Sequence, residues 1–216
     1  MDYGQRTLRA SNTLAKKRLW PIFKKYLTRK DYLIMKVTPL SIPDVLLIEP
    51  KIYEDDRGFF FESFNLNEFK KATSLDVTFV QDNHSKSTKG VLRGLHYQLP
   101  PYAQGKLVKV IQGEVFDVAV DLRKSSPTFG KYVSQILSAE NKKQMWIPEG
   151  FAHGFLTISQ TSEFIYKVNN YYKPLYERCL IWNDKTLNID WKLDAPFQVS
   201  LKDLLGANFL DAEVFA

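Results

Sequence analysis

From Met35 to the C-terminus, apolar residues come in short runs separated by turn residues, and within most runs they alternate with polar ones. A period of two marks strands with one face buried. The pattern predicts strands over 45–48, 78–84, 90–99, 106–111, 114–120, 129–137, 145–147 and 163–169. Strands 106–111 and 114–120 are joined by a tight turn at Gly113, and 85–89 reads as a polar loop. Helical signals are few. Asn65-Leu-Asn-Glu68 has the spacing of a capping box opening a helix to about Ala72, and Ser200 with Asp203 has the same spacing for one last helical turn. Short strands at close spacing, with no helical period between them, predict an all-β sandwich or barrel with a few short helices. No repeat or low-complexity linker interrupts 35–216, so the expectation is a single domain there.

One stretch departs from this apolar texture in a way that bears on chemistry. Gly90-Val-Leu-Arg-Gly-Leu-His-Tyr-Gln-Leu99 reads as a buried strand, yet it carries Arg93 and His96. A histidine there is either a hydrogen-bonded core residue or a proton-transfer group, because imidazole is the side chain that titrates near neutrality. Arg93 and His96 are three apart and would face opposite sides of a regular strand. Gly94 between them predicts a bulge that returns both to one face. Tyr166 shares a face with Phe164 and Val168, which aims its phenol where core side chains point. Asp56, Arg57 and Glu62 flank three consecutive phenylalanines and read locally as a solvated turn entering a strand.

Charge alters the picture only at the N-terminus. The net +6 is concentrated in residues 1–34, where nine Lys/Arg stand against Asp2 and Asp31, so residues 35–216 sum to −1. A near-neutral domain gives no reason to expect nucleic acid as a partner. The basic extension, broken by Pro21, reads as sequence upstream of a start at Met35, an anionic-surface contact or an organellar address. No run approaches the roughly 20 apolar residues that cross a bilayer, and no secretory signal is evident, so residues 35–216 are expected in the cytoplasm away from membranes. The single cysteine, Cys179, has no partner for an intramolecular disulfide.

Pro148-x-Gly150-x-x-His153 is similar to the second motif of cupins, which are small jelly-roll β-barrels. Cupins commonly hold a metal with a His-x-His pair, but Leu95-His96-Tyr97 offers one imidazole, so no metal is expected. A closer resemblance runs from about Met35 to the C-terminus. Asp56-Arg-Gly-Phe-Phe, Gln81-Asp-Asn-His84, Gly90 to His96, Tyr102-Ala-Gln-Gly-Lys106, Ser126-Pro-Thr-Phe-Gly130, Trp146 to Gly154 and Tyr166 to Tyr172 together resemble the dTDP-4-dehydrorhamnose 3,5-epimerases.

The resemblance implies a cupin-like jelly roll, a dTDP-4-keto-6-deoxy sugar as substrate, and inversion at C3 and C5 without a cofactor. It implies His96 as base, Tyr166 as acid, Lys106 at the C4 oxygen and Asp203 as partner of the base. Arg57 and Arg93 are implied at the diphosphate, Tyr172 on the thymine, and Glu62, Gln81, Asn83, His153, Glu177 and Lys202 at further binding positions, with Phe59 adding apolar contact near the base. A homodimer with an exchanged N-terminal strand is implied as well. The alternatives are a related sugar-nucleotide 3- or 5-epimerase or ketoisomerase, a cupin that binds a sugar nucleotide without turning it over, and a metal-dependent cupin.

Overall fold

The computed structural model describes residues 35–194 and 197–216. The basic extension 1–34, and every expectation attached to it, lies outside the described residues. In chain order the strands are β1 (Met35–Pro39), β2 (Leu46–Pro50), β3 (Tyr53–Asp55), β4 (Gly58–Phe60), β5 (Gln81–Thr88), β6 (Val91–Gln98), β7 (Lys106–Gln112), β8 (Glu114–Asp121), β9 (Tyr132–Ser138), β10 (Gln144–Ile147), β11 (Phe151–Thr157), β12 (Thr161–Val168), β13 (Glu177–Cys179) and β14 (Gln198–Val199). Among the described residues two short helices, α1 (Leu66–Thr73) and α2 (Leu201–Leu204), accompany them. Two sheets face one another. One has the order β1-β2-β10-β7-β12-β5 and the other β13-β6-β11-β8-β9, with β14 joining β6. This is the cupin-like jelly roll that the sequence implied.

Three apolar layers follow from the alternation. Val108, Val110 and Phe164 from the first sheet meet Val115, Ala119, Val133 and Phe155 from the second, filling one end of the space between the sheets. The opposite face of β8, carrying Phe116, Val118 and Val120, packs beneath Leu180, Trp191 and Phe209 of the C-terminal segment. Outside the first sheet, Phe69 of α1 is 1% exposed and packs edge-on to Trp146 and Phe79. Each such aromatic pair contributes about 0.5–1.5 kcal/mol beyond its buried area. The predicted cap holds here, since the Asn65 side chain accepts from the backbone N–H groups of Asn67 and Glu68.

Two local expectations are corrected. The 106–111 and 114–120 strands form, but they do not pair with each other: β7 and β8 belong to opposite sheets, and Gly113, at φ 72°, turns the chain from one sheet to the other. A Cβ at Gly113 would lie 1.9 Å from the Thr161 carbonyl oxygen, so the crossing is too tight for a side chain. The segment 85–88, expected as a polar loop, continues the strand predicted before it, so that β5 runs over Gln81–Thr88. It pairs along its whole length with β12, and residues of this strand line a polar cavity, which is why the apolar signature of a strand is missing.

Candidate active site

At the end of the sandwich not filled by apolar side chains, a cavity of about 910 Å³ opens between the two sheets. This is ample for a drug-sized or nucleotide-sugar ligand. β5, β6 and β12 supply its walls, and the C-terminal segment around α2 closes one side. Arg93 and His96 both line it. The predicted bulge is present: against β11, His96 stands opposite His153 while Arg93 stands opposite Phe155, so β6 carries one extra residue over that interval. Gly94 sits there at φ 132°, and a Cβ on it would come within 2.5 Å of Gly154 Cα. Only glycine lets β6 and β11 approach while the two polar side chains turn to one face.

His96 Nε2 donates to Asp203 Oδ1 at 2.7 Å, linking residues 107 positions apart in the chain. Asp203 is 2% exposed, and its other oxygen accepts from the Gly94 backbone N–H at 3.3 Å. Burial works against ionisation of this carboxyl, but the hydrogen bond and charge of His96, with the Gly94 N–H, hold its pKa below the ordinary value. The Ser200 side chain caps α2 by accepting from the Asp203 N–H, yet the Asp203 carboxylate does not turn back to complete a capping box. It is spent on the imidazole. With Nε2 donating, the lone pair of the ring lies on Nδ1.

Lys106 opens β7 in the opposite sheet and is 7% exposed, with Nζ donating to the His96 carbonyl oxygen at 3.0 Å. Burial lowers its pKa to about 8, against the opposing charges of Asp117 and Glu177. His153 Nε2 lies 3.0 Å from both oxygens of Asp117, which is fully buried on β8. Burial pushes the Asp117 carboxyl up and the His153 imidazole down. Tyr166 on β12 lines the cavity, and its pKa is raised by burial first and by Glu177 second, so the phenol keeps its proton at neutral pH.

At the mouth, Tyr172 donates to Glu177 at 2.9 Å and Lys202 to the other oxygen of the same carboxylate at 2.8 Å. Burial opposes the charge on Glu177, and these two donors hold it ionised. Gln81 donates to Asn83 at 2.9 Å and accepts from the Tyr172 N–H at 3.2 Å. Arg93 Nε donates to Ser87 at 3.0 Å and its Nη2 to the Lys86 carbonyl at 3.2 Å, so the guanidinium is held on the cavity wall.

The family model of dTDP-4-dehydrorhamnose 3,5-epimerase matches residues 39–211 of this chain, which contain every side chain named above. The chain belongs to that family. It is 62% identical over 181 residues to the dTDP-4-dehydrorhamnose 3,5-epimerase of Shigella flexneri, covering 84% of this chain and 99% of the relative. Among solved structures, it is similar to the dTDP-6-deoxy-D-glucose-3,5-epimerase of Legionella pneumophila in complex with dTDP-4-keto-L-rhamnose, with a TM-score of 0.80, 50% identity and coverage of 83% and 95% of the two chains. A 3'-monoepimerase of Streptomyces bikiniensis in complex with dTDP-quinovose shares the fold at a TM-score of 0.75 and 31% identity, covering 80% and 87%.

Eleven of the residues that the resemblance implies line the same cavity: His96, Lys106, Tyr166, Asp203, Gln81, Asn83, Arg93, His153, Tyr172, Glu177 and Lys202. Arg57 and Glu62 do not. Arg57 is exposed and ion-pairs with Asp55 on the β3–β4 hairpin, while Glu62 accepts from Asn65 at 3.3 Å. Sequence reasoning missed Asp117 as the partner of His153. Its signal was there, an acid in an otherwise apolar strand, but alternation alone did not say that its face was the cavity face. Among the described residues, the metal-ligating groups that converge are His96, Asp203 and Cys179.

Proposed function

We propose that this protein inverts C3 and C5 of dTDP-4-dehydro-6-deoxy-D-glucose to give dTDP-4-dehydro-L-rhamnose, in the cytoplasm and without a cofactor, as a step of dTDP-rhamnose synthesis. The observation that carries the reading is the placement of His96 and Tyr166 on opposite sheets of one cavity. A proton beside a ketone is removable because the charge left behind spreads onto the carbonyl oxygen; inversion then needs a second group on the other face. His96 Nδ1 removes the proton, the Asp203 carboxylate holds the tautomer and stabilises the imidazolium, and the protonated phenol of Tyr166 returns a proton to the opposite face.

Lys106 stands at the C4 oxygen, where a buried ammonium acts most strongly as negative charge develops. The nucleotide lies toward the mouth, with Arg93 at the diphosphate, Tyr172 against thymine, and Gln81, Asn83, His153, Glu177 and Lys202 as further contacts. Lys106→Met is expected to lower turnover by about 10²- to 10³-fold, the usual cost of one such donor, while dTDP binding measured by calorimetry is retained. The pH dependence has a definite sign. A lysine with a pKa of about 8 is charged below that pH and neutral above it, so parent turnover falls as pH rises through about 8. Retained turnover in Lys106→Met would remove the lysine from the reaction.

Chelation gives a separate check. EDTA is expected not to lower the rate, because the proposed proton transfers run on side chains alone. Activity lost to chelator and restored by Zn²⁺ or Fe²⁺ would contradict His96 as base.

The homodimer belongs to the same reading. The β3–β4 hairpin projects Tyr53, Phe59 and Phe60 into solvent at 53%, 59% and 70% exposure, and β1 is an edge strand. An exchanged N-terminal segment covers this apolar surface and carries Arg57 and Glu62, with Phe59, toward the partner's cavity. Light scattering should give twice the 25.1 kDa chain mass. A fully active monomer would exclude it.

The likeness to a 3'-monoepimerase supports a second reading in which one centre inverts. The higher identity to the 3,5-epimerases favours the first.

A further inference from the structure

Behind the His96–Asp203 pair stands a side chain that the epimerase reading does not use. Cys179 lies directly opposite His96 in the pairing of β13 with β6. Its Sγ is 3.9 Å from Asp203 Oδ1, the same oxygen that Nε2 of His96 reaches at 2.7 Å. One ligand atom from each of the three residues lies within 4.8 Å of the others. A tetrahedral Zn²⁺ at its usual bond lengths of roughly 2.0–2.3 Å sets its ligand atoms about 3.3–3.8 Å apart. The three donors therefore need to shift by only about 1 Å to meet it.

We propose that His96, Asp203 and Cys179 form an inhibitory site for a thiophilic divalent cation such as Zn²⁺. His96 and Asp203 line the cavity and give the ion its entry, while Cys179 supplies the sulfur from behind. Mixed nitrogen, oxygen and sulfur donors select Zn²⁺, Co²⁺ or Cd²⁺ over Mg²⁺ and Ca²⁺. The proton balance is explicit. The ion takes Nε2 in place of the hydrogen shared with Asp203, the ring then carries its proton on Nδ1, and the thiol proton leaves to solvent. Burial pushes the Cys179 thiol up to about 12, but a coordinating thiol is deprotonated by the metal itself. With Nδ1 protonated the imidazole can no longer accept a proton from substrate. The binding stands on geometry alone; the inhibition rests on His96 acting as the base.

The test uses the full chain and two readouts. Co²⁺ added to the parent protein should give a thiolate-to-metal charge-transfer absorption, lost in Cys179→Ser and in Cys179→Ala. This readout needs no turnover, so its failure is distinct from failure of the epimerase reading. Zn²⁺ should inhibit the parent, with recovery on adding EDTA, while Mg²⁺ at the same concentration has no effect. In either cysteine variant the uninhibited rate should stay within about twofold and the inhibiting Zn²⁺ concentration should rise at least about tenfold, the lower end of what disturbing even an outer partner of a metal ligand costs. The paired variants guard against a serine that alone perturbs folding. Co²⁺ binding with no thiolate band, or equal Zn²⁺ inhibition of parent and variants, would overturn the site.

Discussion

His96→Ala is expected to abolish turnover and, with it, exchange of the C3 and C5 protons with solvent. The alanine removes the imidazole that lines the cavity and holds the Asp203 carboxylate, while the backbone carbonyl that accepts from Lys106 stays in place. Without a base, no enolate forms for Lys106 to stabilise or for Tyr166 to protonate, so the effects of the three groups do not add. The loss should equal or exceed the 10²- to 10⁴-fold attributed to a positioned proton-transfer group. Asp203→Asn should show a smaller loss with the same signature, since the amide keeps a hydrogen bond to the ring but forfeits the charge that stabilises imidazolium. Proton exchange followed by NMR checks both. A His96→Ala protein that folds, binds dTDP and still exchanges protons would place the base elsewhere, with His153 as the next imidazole on the cavity wall.

Tyr166→Phe should behave differently, and the difference carries the stereochemistry. Phenylalanine keeps the ring that packs against Phe164, at 6.1 Å between centroids, but deletes the transferable proton. His96 in one sheet can still remove the substrate proton and return a solvent-derived one to the same face. The group assigned to deliver a proton to the opposite face is then gone, and Lys106, a cation in that same sheet, is engaged at the C4 oxygen. Inversion should fall by about 10²- to 10⁴-fold while wash-in of solvent hydrogen survives.

How far this site could be read from the chain depends on what each residue's signal was. The Asn65 cap and the Gly94 bulge were legible because each follows from local geometry, a short polar side chain before a helix and a glycine inside a strand. His96 and Asp203 stand 107 positions apart, and no local rule brings them together. Their pairing was legible only through resemblance. The second half of β5, residues 85–88, was misread as a loop because alternation reports burial against apolar neighbours, and a strand whose side chains line a wet cavity has no reason to be apolar. Gly113 was correctly read as a turn, but a tight turn does not reveal whether the next strand pairs back or crosses to the facing sheet. Arg57 and Glu62 match the family pattern yet lie off the cavity of their own chain, and only the proposed second copy would bring them to one.

The most direct test of the account compares the parent protein and Tyr166→Phe in deuterated water, with dTDP-4-keto-6-deoxyglucose as substrate, counting by NMR the positions that acquire deuterium and the centres that invert. The parent should exchange and invert both C3 and C5, while Tyr166→Phe should still acquire deuterium with inversion largely lost. A Tyr166→Phe protein that inverts both centres at near the parent rate, or one that binds dTDP yet loses exchange as completely as His96→Ala, would contradict a base and an acid acting from opposite sheets.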